Sequence, residues 1–74
     1  MAIELDLNGR KLTLEEPVVR ELQLKAAAGA GASSTLRDLA FMLHRALSEE
    51  RQVSLQRAEA RALERLLSER PDSE

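Results

Sequence analysis

The sequence predicts a mainly helical α+β domain of order ββααα: a two-stranded β-hairpin over about residues 2–14, then three helices over about 17–28, 35–50 and 54–69. Three observations predict it. Strict apolar/polar alternation flanks an Asn8-Gly9 pair. Three later segments repeat their apolar residues at helical spacing, and Gly- or Ser-containing breaks separate them.

In the first segment Ile3, Leu5 and Leu7 alternate with Glu4, Asp6 and Asn8, and Leu12 and Leu14 alternate with Lys11 and Thr13. Asn-Gly is the strongest two-residue hairpin turn, because both residues tolerate positive φ. Closing the chain there sets Leu5 opposite Leu12, Ile3 opposite Leu14 and Asp6 opposite Lys11. The result is one apolar face and an opposite-charge pair on the other. A slip of one residue would destroy that agreement. Two strands alone are barely stable, so the leucine face must rest on helices.

Pro17 suits the first turn of a helix, where its missing N–H costs nothing, and Glu15 and Glu16 sit at the positive end of the dipole. Val18, Val19, Leu22 and Ala26 form the stripe, and the Gly29–Ser34 segment reads as a loop. Thr35 with Asp38 reads as a capping box for the second helix, whose stripe is Leu36, Leu39, Ala40, Leu43 and Leu47. Ser54 reads as the N-cap of the third, with Leu55, Ala58, Ala62, Leu63, Leu66 and Leu67 facing inward. A single helix from Thr35 to Ser68 would swing its apolar centre by about 130° between halves, so a break is expected within Ser48–Ser54. Residues 1–70 are read as one domain, and Pro71–Glu74 as a polar, flexible tail.

Composition narrows the function. The 74 residues include 14 Leu and 11 Ala, one aromatic residue (Phe41), one His and no Cys, with a net charge of −2. No disulfide framework or Cys/His zinc site can be built, and no metal or cofactor is expected. The longest run of large apolar character, Leu39–Leu43, is far short of the ~20 residues that cross a bilayer. Glu4 and Asp6 interrupt any signal-peptide pattern, so the chain is expected to be cytoplasmic. A core this small is marginal on its own, which points to an oligomer or a bound partner.

Catalysis is not expected. His44 and Ser48 lie one helical turn apart, but no carboxylate stands one turn away to orient the imidazole and no oxyanion turn is near. The pairs Glu15-Glu16 and Glu49-Glu50 diverge by about 100° on a helix and read as solvated ends. Gly29-Ala30-Gly31 follows a helix and lacks the P-loop lysine.

Phe41 and Met42 carry more information. Phe41 points about 160° from the stripe centred on Leu43, among Arg37, Asp38 and Arg45, and Met42 points about 100° the other way. Either another element covers them or they form an interface, a setting that enriches aromatic residues and Met. On the third helix Arg57, Arg61 and Arg65 follow at i, i+4, i+8, with Glu64 and Glu69 spaced to relieve their repulsion.

The expected function is a small non-enzymatic protein–protein interaction module, such as an adaptor, assembly or antitoxin-like regulator-binding protein. It would self-associate or bind a protein through Phe41, Met42, Arg37 and Arg45. The alternative is a DNA-binding regulator of helix-turn-helix or ribbon-helix-helix order, with Gln56, Arg57, Arg61 and Arg65 facing an acidic partner or phosphate. The acidic balance and the outward Glu4, Asp6 and Glu15 disfavour it.

Overall fold

A computed structural model describes residues 2–69. Strand β1 (Ala2–Leu7) turns into β2 (Lys11–Glu15), which runs directly into helix α1 (Glu16–Ala28). Helix α2 (Ser34–Arg45) continues into one π-helical turn (Ala46–Glu50), and β3 (Gln52–Leu55) and α3 (Arg57–Ser68) follow. A mainly helical fold with an N-terminal hairpin and three helices is therefore what the structure shows, with one strand more. The expected tail at Pro71–Glu74 lies outside the described residues.

The hairpin has the expected register. Leu5 stands opposite Leu12, Ile3 opposite Leu14 and Asp6 opposite Lys11. Asn8 and Gly9 take φ of 57° and 108°. The Gly9 N–H donates to Asp6 Oδ1 at 3.0 Å, which helps to hold the turn closed.

The third strand corrects the expected start of the last helix. Ser54 does not cap a helix: it lies in β3, which pairs parallel to β1 with Leu5 beside Val53 and Leu7 beside Leu55. The sheet order is β2-β1-β3, so the first strand is central. The physical reason lies in β1, whose second edge would otherwise leave backbone groups without partners. Val53 and Leu55 alternate with Gln52 and Ser54, so pairing there drops both apolar residues onto the core face. Helix α3 starts instead at Arg57, where the Gln56 and Glu59 side chains close a capping box.

The expected break between the second and third helices falls at Arg51. This residue is left-handed (φ 58°), and its N–H donates to the Ala46 carbonyl at 3.1 Å, closing the π turn. The Arg51 carbonyl then accepts from the Glu4 N–H at 3.0 Å, which begins the β1–β3 ladder. At the other end of α2 the cap is Ser33 and not Thr35. Ser33 Oγ accepts from the Leu36 N–H at 3.2 Å, and Thr35 lies inside the first turn.

The core lies between one face of the sheet and the three helices. Ile3, Leu5, Val19, Leu22, Leu39, Leu43 and Leu63 are fully buried there, and none of the described buried residues is polar. Leu55, expected on the third helix's stripe, reaches the core from β3, and Ala60 takes a buried place on α3. The opposite sheet face is polar: Glu4, Asp6, Lys11, Thr13, Gln52 and Ser54 alternate with the core-facing positions.

Candidate interaction surface

Helices α1 and α2 are joined by a short Gly-containing turn and pack as a helical hairpin. Each keeps one large apolar residue outside. Leu24 on α1 is 62% exposed and Phe41 on α2 is 61% exposed. The α1 stripe of Val19, Leu22 and Ala26 is buried, and Leu24 points about 165° from its centre. Leu24 lines a depression with Gln23, His44, Leu47 and Ser48. Phe41 is one turn of α2 before His44. The packing of α1 on α2 therefore brings Leu24 and Phe41 to the outer surface of one helical hairpin.

The other expected interface residues divide. Arg37 and Arg45 are exposed one turn either side of Phe41. Met42 is half-buried against the core, and Arg45 Nη1 lies 3.8 Å from its sulfur. The exposed apolar companion of Phe41 is thus Leu24, which periodicity alone could have found because it falls opposite its own helix's stripe.

Ser48 Oγ donates to the His44 backbone carbonyl at 3.1 Å, an ordinary back-bond along a helix. Among the described residues no group of three or more acidic or His side chains is placed to hold a metal ion. Among them too, no helix is long and apolar enough to cross a membrane.

On α3, Arg57, Arg61 and Arg65 are all exposed. Glu64 does not serve them; it pairs with Arg10 of the hairpin turn region. Gln56 is occupied in the capping box. Arg61 and Arg65 line an open groove of about 650 Å³ between α3 and the start of α2, with Leu36, Ala62 and Leu66 along it and Glu69 at one end.

Glu16, in the first turn of α1, has its carboxylate between two arginines. Arg51 Nη1 donates to its Oε1 at 3.1 Å and Arg20 Nη2 to its Oε2 at 2.8 Å. The Arg51 hydrogen bond, above all, holds the Glu16 carboxyl below its usual range, against an opposing contribution from partial desolvation.

Comparison with known proteins finds no match to a family model, a curated protein or a solved structure.

Proposed function

We propose that this chain is a small cytoplasmic, non-enzymatic protein–protein interaction module that works by self-association through the outer face of α1 and α2. The observation that carries this is the shared exposure of Leu24 and Phe41, the only large apolar side chains left outside among the described residues. Aromatic and large aliphatic residues in an otherwise polar surface are what interfaces use as anchors. The flanking charges are of both signs (Arg20, Lys25, Arg37 and Arg45 with Glu21 and Asp38), so opposite charges are available to pair across the contact. Adaptor, assembly and antitoxin-like roles all fit such a module.

The test is solution mass by light scattering across protein concentration, for the parent chain and for Phe41→Glu. The expected result is an oligomer that Phe41→Glu reduces in size while far-UV circular dichroism keeps its helical signal. A parent chain that stays monomeric at millimolar concentration would overturn the proposal.

A second function, DNA binding by the Arg57, Arg61 and Arg65 face, is favoured by one observation: none of the three has an ion-pair partner among the described residues. The strand between α2 and α3 counts against it, because a helix-turn-helix needs a short turn there. Retardation of duplex DNA that weakens steeply with salt, and less steeply after alanine replacement of the three arginines, would favour it. Absence of retardation at low salt would exclude it.

A further inference from the structure

We infer that the free edge of β2 is a second self-association site, at which two copies pair antiparallel about a two-fold axis through Thr13. This deepens the self-association proposed above and adds a surface that the Leu24–Phe41 face does not use.

Backbone parity comes first. The Leu7 N–H donates to the Arg10 carbonyl at 2.6 Å and the Arg10 N–H to the Leu7 carbonyl at 3.4 Å. In an antiparallel ladder the doubly bonded pairs alternate, so Arg10, Leu12 and Leu14 direct their backbone groups to β1. Lys11 and Thr13 direct theirs to the open edge, and the Glu15 N–H points there too, while the Glu15 carbonyl belongs to the start of α1 as its N-cap. Since β2 is terminal in the sheet, no strand of this chain meets them.

Side-chain pairing in that register is self-complementary. With Thr13 opposite Thr13 of the second copy, Lys11 falls opposite its Glu15, and Glu15 opposite its Lys11. The Thr13 pair is of the doubly bonded kind and each end pair adds the Glu15 N–H to the Lys11 carbonyl, giving about four backbone hydrogen bonds. Lys11 Nζ already lies 3.7 Å from Glu4 Oε2 of its own copy, and the second copy's Glu15 adds another opposite charge beside it at both ends, the arrangement that favours pairing.

The apolar face agrees. Leu12 and Leu14 are only half-buried, although their β1 neighbours Leu5 and Ile3 are fully buried. The same register sets Leu12 against Leu14 of the second copy, and Leu14 against its Leu12. A two-fold axis perpendicular to the sheet keeps the helices of both copies on one side. The product is a six-stranded sheet of order β3-β1-β2-β2-β1-β3. Of the devices that keep edge strands apart, β2 has a short length and the charged Lys11 and Glu15, which this register pairs with opposite charges, and it has no Pro and no bulge across its five residues.

The experiment uses the full chain carrying Phe41→Glu, so that the helical face is silenced and the remaining dimer is read alone. Solution mass is measured from micromolar to millimolar protein for this parent, for Lys11→Glu and Glu15→Lys added separately, and for an equimolar mixture of the two. Each single variant sets like charges opposite each other twice, and its dissociation constant is expected to rise by about tenfold or more. In the mixture the all-acidic edge of one variant meets the all-basic edge of the other. Both end pairs are then of opposite charge again, so a mixed dimer is expected to return. Thr13→Pro removes an N–H that serves no strand of its own copy and is expected to abolish the dimer with the circular dichroism of the fold retained. Single variants that dimerise like the parent, or a mixture that stays monomeric, would overturn the edge pairing. So would a Phe41→Glu parent that is monomeric throughout, while an oligomeric unmodified chain would leave the helical-face proposal standing.

Discussion

Arg51 Nη1 and Glu16 Oε1 lie 3.1 Å apart across 35 residues of sequence, which ties the end of the π turn to the first turn of α1. The same arginine closes the π turn through its N–H and starts the β1–β3 ladder through its carbonyl. One residue thus joins a helix start, a helix end and the sheet.

Because this contact lowers the folded-state pKa of Glu16, the unfolded chain binds the proton more readily. The stabilisation is complete above the unfolded-state value near 4.5 and disappears as pH falls through the lower folded value. Urea unfolding from neutral pH down to about pH 3 is expected to show a declining acid limb, and Glu16→Gln should flatten it while lowering stability at neutral pH. An unchanged acid limb in Glu16→Gln would mean that the pair contributes nothing.

Gly9→Ala tests the turn. At φ 108° an L-residue is strained, yet an added Cβ would meet nothing within 4 Å. The expected cost is about 1–2 kcal/mol from backbone conformation alone, read from the urea midpoint.

The α1–α2 turn offers a contrast between two glycines. Gly31 has open space around an added Cβ, so Gly31→Ala is expected to stabilise by about 0.4–1 kcal/mol by restricting the unfolded chain. At Gly29 an added Cβ would lie 2.6 Å from Leu36 Cδ1, so Leu36 must shift. Gly29→Ala is expected to fall below Gly31→Ala by about 1 kcal/mol or more, measured by thermal unfolding.

Val53→Ala probes the third strand. It removes two buried methyl groups at an expected cost of about 1–3 kcal/mol. Amide hydrogen exchange should show where the loss falls. The Glu4 N–H, which bonds toward β3, is expected to lose protection ahead of the Leu7 N–H, which bonds to Arg10. Equal loss at both would show that the sheet opens as one unit.

The hairpin was legible to the residue because alternation, an Asn-Gly turn and an opposite-charge pair all select one register. The helices were legible from their stripes, but their caps were less so. Ser33, Ser34 and Thr35 are all cap-forming types, and which one closes on Leu36 depends on the path of the preceding turn. Strand β3 was hidden for a physical reason. It has four residues, its Val53 and Leu55 also suit a helical stripe, and its partner Leu5 is far away in sequence. On the candidate surface, Phe41 was legible from its angle to the stripe. Met42 was not separated from it, because its angle alone does not reveal the cover that Arg45 and the core provide.

The parallel pairing of β1 with β3 bears on the order in which a ribosome releases the chain. The middle strand emerges first and one of its two neighbours only after α1 and α2 are made, since Glu4 must wait for Arg51 and Gln52. Until then any hairpin the nascent chain forms has its inner edge open beside Leu5 and Leu7. Polysomes bring such intermediates close together, and that temporary edge is a place where neighbouring copies would mispair.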